Sequence, residues 1–220
     1  MQNSNPSYSL TSNAFLVFGI LSAVYTSSLV MAGIHGAKLA NLGPFTFDGG
    51  LITFTMTFFV TDIVSETFGK AYARQIIFSA LVGLICAFLL TQLILFLPAS
   101  PDWAIAKGFN DVLGIGSRVF AAILATFVLS QLTDIKIFTL VRKITGEKHL
   151  WLRNNVSTLV GGLVDAVVFS TVAFYGIYDL MPIIISAYSV RILISLIDTP
   201  FVYLGVYIIR RICPGIVRVD

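Results

Sequence analysis

The sequence predicts an all-α integral membrane protein with six transmembrane helices and both termini cytoplasmic. Three observations carry that reading. Hydrophobic residues make up 57% of the 220 and charged residues only 11%, where a soluble domain carries about a quarter charged. Six stretches approach the roughly 20 apolar residues that a helix needs to cross hydrocarbon. Lys and Arg gather in alternate connections, as cytoplasmic loops do. The mean hydropathy of +0.91 leaves too few charges to clothe a soluble globule. Disorder, coiled coil, a disulfide scaffold and nucleic-acid binding are excluded by the same figures, so the net charge of +3 is not a nucleic-acid signal.

Taken in chain order, the spans fall at about 14–34, 51–68, 76–97, 119–141, 156–175 and 183–209. The second is weak: Leu51 to Val60 is apolar or Thr, but Thr61, Asp62, Ser65 and Glu66 follow where hydrocarbon should continue. A polar half-span survives only against protein or a watery cavity. With both termini inside, nine Lys and Arg fall in the inner connections and two, Lys38 and Lys107, in the outer ones. Discarding the weak span would put like-charged loops on opposite sides. The outer connections 36–50 and 98–116 have turn composition, and residues 1–13 carry no Lys or Arg, so no cleaved signal peptide is expected. The chain reads as one multi-pass membrane module over 1–220. The Ser28, Ala32, Gly36 ladder reads as small-residue packing between helices or subunits, with a homo-oligomer among the expectations.

An ionisable side chain at membrane depth costs about 2.5 to 3.5 kcal/mol on insertion scales and so needs a partner, a cavity or a function. The spans hold seven: Asp62, Glu66, Asp134, Asp165, Asp198, Lys136 and Arg191. Pairing both cations leaves three carboxylates that must protonate or find a donor, and an incoming ligand is one such donor. Residues three or four apart share a helix face. Leu51, Thr55, Phe58, Asp62 and Glu66 form one stripe; Gln131 and Asp134 a second; Asn154, Thr158 and Asp165 a third; Arg191, Ser195 and Asp198 a fourth, just before Pro200. Lys136 points away from Asp134 and is close enough to the inner surface to snorkel. Each stripe has a bland alternative: Arg191 in a structural ion pair with an Asp of another helix, Asp62 as an interfacial cap, Phe as packing surface. Asp165, at mid-span, can neither cap nor snorkel. His35 and His149 have no second ligand at metal-binding spacing, Cys86 and Cys213 imply no disulfide, and neither metal nor cofactor is expected. HExxH, GxSxG, Walker and Rossmann motifs are absent, so the chain reads as no enzyme.

Thr61-Asp62 with Glu66 and Phe68-Gly69, Gln131-x-x-Asp134 with Phe138, Arg153-Asn154-Asn155 leading to Ser157-Thr158-x-x-Gly161 and Asp165, and Arg191 with Asp198-Thr199-Pro200 together resemble the queuosine precursor transporter family, also called the vitamin uptake transporter family. One position departs from the pattern: Gly162 stands where that family often carries Gln or Asn. The resemblance implies a single transmembrane transporter domain of the bacterial inner membrane that imports 7-cyano-7-deazaguanine or 7-aminomethyl-7-deazaguanine as a secondary carrier or facilitator, with the base and the lipid bilayer as partners and no nucleic acid. A carboxylate accepts both donors of a guanine-like edge. On that basis Glu66, Asp134 and Asp165 are the leading contacts and Gln131 an amide reader. Asp62, Asn154, Thr158 and Phe58 complete the expected site, and Arg191 balances Asp198 as a structural or gating charge. Two alternatives stand: a binding component that works only with a separate ATP-driven module, and a non-transporting membrane scaffold.

Overall fold

The computed structural model describes residues 12–43, 45–145 and 150–214. Six helices are formed among them: α1 (Ser12–His35), α2 (Gly50–Thr67), α3 (Lys70–Phe96), α4 (Ala106–Thr145), α5 (Leu150–Phe174) and α6 (Leu180–Ile212). Three segments are long and apolar enough to cross a membrane, Asn13–His35, Ala71–Phe96 and Ala106–Phe127, and two shorter apolar stretches occupy Leu159–Phe174 and Leu180–Leu193. A helix satisfies every backbone N–H and C=O within itself, which hydrocarbon demands.

The connections depart from the expected turns in two places. Residues 36–50 contain an antiparallel hairpin, β1 (Leu39–Leu42) and β2 (Phe45–Asp48), with Leu39 opposite Asp48 and Leu42 opposite Phe45. Gly43, at φ 60°, supplies the left-handed residue of its turn. Residues 98–116 are not all turn: α4 begins at Ala106, and among the described residues an apolar segment of membrane length lies at Ala106–Phe127. Glycine costs a helix about 1 kcal/mol relative to alanine, but packing overrides it at Gly116, which is buried against the carbonyl of Gly33. At 40 residues α4 is roughly 60 Å long, about twice the hydrocarbon thickness.

The corner between α2 and α3 is equally tight. Gly69 has φ 98°, a region that disfavours any side chain, and both it and Phe68 donate to the carbonyl of Val64. The helix can therefore stop and restart within one residue, which is why α3 begins at Lys70. Phe18, Phe68 and Tyr72 pack around this corner with ring centroids 5.2 to 6.0 Å apart.

In lipid no hydrophobic force drives helices together, so close packing across small residues does. A Cβ on Gly33 would lie 2.5 Å from the Phe120 ring, and one on Gly36 would lie 2.6 Å from Val119, so α1 and α4 cross where α1 has no side chains. α1 packs on α2, α3 and α4, α4 on α5, α5 on α6, and α6 on α2. Strand β2 lies against α6 and closes one end of the bundle, the hairpin end.

Candidate functional site

The helices enclose a cavity of about 270 Å³ to which every one of them contributes, with Asp48 at the hairpin end. Its walls are largely flat and apolar, with Phe54, Phe58, Phe127 and Phe169 among them. Its polar lining is sparse and specific: the hydroxyls of Tyr25, Thr57, Thr61 and Thr126, and the charged groups of Asp48, Asp165 and Arg191. Apolar walls with a few convergent polar groups are the usual form of a small-molecule site.

Asp165 and Arg191 meet inside this chamber as an ion pair between α5 and α6, Oδ2 facing Nη1. The guanidinium also lies over the face of Phe58 on α2, 4.9 Å from the ring centroid. The cation on α6 is thus held by a carboxylate from α5 and an aromatic quadrupole from α2, where both interactions are less screened than in water. Asp165 is thus the Asp of another helix with which the sequence allowed Arg191 to pair, while the side chain of Asp198, its other expected partner, lies outside the described residues. The Tyr25 hydroxyl faces Thr57 and Thr61. Those two threonines donate to their own helix, Thr57 to the Phe54 carbonyl at 2.6 Å and Thr61 to the Thr57 carbonyl at 2.7 Å.

Asp62 and Glu66 lie outside the cavity lining and are exposed. Helix geometry accounts for it: each step of four residues advances about 40° around the axis, so a row drawn from Phe58 through Asp62 to Glu66 turns away from the face it began on. The face that lines the chamber instead carries Leu51, Phe54, Thr57, Phe58 and Thr61. The side chains of Gln131, Asp134, Asn154, Thr158 and Asp198 lie outside the described residues. Lys136 is exposed, in keeping with a snorkelling side chain.

Four polar lining residues, Tyr25, Thr57, Asp48 and Thr126, were not anticipated, and two of them carry predictions. Asp48 is 3% exposed and accepts from the Leu51 N–H at 3.0 Å, tying β2 to the first turn of α2. The run Asp48-Gly49-Gly50 before an apolar helix is a cap signal that could have marked it. Burial pushes its carboxyl up to about 6, against the opposing pull of the backbone donors. A raised carboxyl binds its proton more tightly folded than unfolded, so its contribution to stability is greatest below about pH 4 and falls as pH rises to about 6. Asp48→Asn removes that dependence. The stability of the variant relative to wild type should therefore rise between pH 4 and 6.5 by up to roughly 3 kcal/mol, as checked by thermal unfolding in detergent.

Thr126 is the other. Its hydroxyl is buried and has no hydrogen-bond partner among the described residues, whereas Thr55, Thr61, Thr67 and Thr91 all bond a carbonyl four residues back. A buried unsatisfied hydroxyl costs about 1 to 3 kcal/mol. Thr126→Val, which keeps the shape, should raise the melting temperature of the ligand-free protein; a lower one would show that the hydroxyl has a structural partner.

Comparison with known proteins bears on what such a chamber serves. The family described as "Putative vitamin uptake transporter" matches residues 48–205, from Asp48 through the Arg191 helix. A "Probable queuosine precursor transporter" of Bacillus subtilis is 34% identical over 181 residues, covering 79% of this chain and 78% of that protein. The "Queuosine precursor transporter" of Escherichia coli is 27% identical over 157 residues, 67% of each chain. A "Probable queuosine precursor transporter" of Haemophilus influenzae is 31% identical over 146 residues, 63% of this chain and 58% of that protein. No solved structure matches. The match over residues 48–205 and the 34% identity across 79% of the chain make it a member of the vitamin uptake transporter family.

Proposed function

We propose that the protein imports a 7-deazaguanine base, 7-cyano-7-deazaguanine or 7-aminomethyl-7-deazaguanine, across a bacterial inner membrane as a secondary carrier or facilitator. The observation that carries the reading is the charged pair Asp165–Arg191, set among aromatic walls in a chamber that draws on every helix. A guanine-like edge presents N1–H and an exocyclic amine as adjacent donors and a carbonyl as acceptor. A carboxylate beside a guanidinium answers both kinds of group, and a Phe covers the ring face. A planar bicycle is small enough for about 270 Å³. The relatives named for queuosine precursors support the same substrate class.

In this proposal the six helices span the membrane with both termini cytoplasmic, the hairpin end faces outward, and Asp62 and Glu66 sit towards the cytoplasmic exit, where the ligand meets them after the chamber. Gln131, Asp134, Asn154 and Thr158 stay in the proposal as ligand contacts. Arg191 serves as the charge that Asp165 trades for ligand donors. Cells unable to make the precursor test the reading: expression of this chain should restore queuosine in transfer RNA when either base is supplied outside. Failure with both bases, with the protein present in the membrane, contradicts it. Restoration only in the presence of a separate ATPase would favour the binding-component alternative.

A further inference from the structure

The ionisable groups that line the chamber do not balance. Among the described residues they are Asp48, Asp165 and Arg191, with the Tyr25 phenol. Asp165 and Arg191 neutralise one another. Asp48 is left with backbone donors alone, its own amide and those at the start of α2, and no cationic side chain among the described residues reaches it. It is nevertheless part of the same cavity wall as the ion pair. A desolvated carboxylate facing an enclosed space favours a ligand that brings a positive charge.

The two anionic points lie at different depths. Gly50 marks the level of Asp48, since a Cβ there would lie 2.8 Å from its Oδ1. Phe58, under Arg191, is eight residues further along α2, roughly 12 Å at 1.5 Å per residue. A ligand that bridges them must carry its donor edge at one end and a cation at the other.

We propose that Asp48 is a specificity-determining residue of the chamber, a ligand-facing carboxylate that selects heteroaromatic bases bearing a protonated amine over neutral ones of the same shape. The inference rests on the import reading and deepens it. With the donor edge on Asp165, the aminomethyl group of 7-aminomethyl-7-deazaguanine extends from the opposite side of the bicycle towards Asp48, where the cyano group of its neutral counterpart offers only an acceptor. The ammonium forms a charge-assisted hydrogen bond and the nitrile meets a like-signed partial charge. The raised affinity of Asp48 for its proton has the same origin, a buried anion short of a cation.

The test measures binding of both bases to the purified full chain at pH 7.5, for wild type, Asp48→Asn and Asp48→Glu. Asn keeps an oxygen for the Leu51 N–H, so the link between β2 and α2 is retained, and the ligand-free melting temperature is recorded for each variant. The expected result is that wild type prefers the aminomethyl base by roughly tenfold or more, that Asp48→Asn brings the ratio towards one, and that Asp48→Glu keeps wild type's direction of preference. A wild-type protein that binds both bases with no preference overturns this inference and leaves the import reading standing. So does an Asp48→Asn variant that weakens both bases equally, since Asp48 would then be a cap and nothing more. A wild-type protein that binds neither base sinks the import reading and this inference with it.

Discussion

Asp165→Asn is expected to abolish uptake and to destabilise the protein, by at most about 3 to 5 kcal/mol, because it leaves the half-buried guanidinium of Arg191 without its counter-ion. The single variant cannot tell a ligand contact from a structural ion pair, since both predict loss of activity. The double variant Asp165→Asn with Arg191→Gln can. Removing both charges lifts the penalty for an uncompensated ion, and replacing a whole buried pair is often neutral or stabilising. Thermal unfolding of the double variant should therefore return to near wild type while uptake stays absent. Recovery of uptake together with stability would reduce the pair to scaffolding, and Phe58, which the guanidinium covers, to packing.

The second large effect is expected at the junction of α1, the hairpin and α2. An added Cβ at Gly50 would lie 2.5 Å from the carbonyl oxygen of Ala32, 2.8 Å from Asp48 Oδ1 and 3.1 Å from the Cα of Gly36. Two of those atoms are backbone and cannot swing aside, so Gly50→Ala must push α1 from α2 at the hairpin end of the chamber. Overpacking of this kind costs about 1 to 3 kcal/mol and occasionally more, and here it also displaces a cavity-lining carboxylate. Gly50→Ala should lower the melting temperature clearly and weaken ligand binding. Gly19→Ala is the control: a Cβ there meets nothing within 4 Å, so the better helix propensity of alanine should leave stability unchanged or slightly raised. Equal melting temperatures for Gly50→Ala and wild type would show that the α1–α2 contact is looser than described.

Much of the fold was legible because membrane helices announce themselves by length: α1, α2 and α5 lie close to the apolar runs at 14–34, 51–68 and 156–175. The ends of α3 and α4 were less so. α3 starts at Lys70 through the positive φ of Gly69, and α4 runs through Gly108, Gly114 and Gly116, which composition alone reads as turn. The hairpin was missed because its strands are four residues each, too short for alternation to register. Of the cavity lining, Asp165 stood out by a physical rule, a charge at mid-span with no bland use, and Phe58 by its place on a stripe of α2. Arg191 was singled out as well, with an ion pair to an Asp of another helix among its readings, but which Asp that is depends on how α5 and α6 pack. Asp48 and Thr126 escaped because their importance is burial, and burial belongs to the fold.

The central claim is that this chain alone holds and moves a deazaguanine through a chamber whose charged pair does the reading. Its most direct test is uptake of labelled 7-aminomethyl-7-deazaguanine into liposomes containing only the purified protein, beside liposomes with the Asp165→Asn, Arg191→Gln double variant. The account predicts saturable uptake by the first and none by the second. No uptake by either, or equal uptake by both, would contradict it.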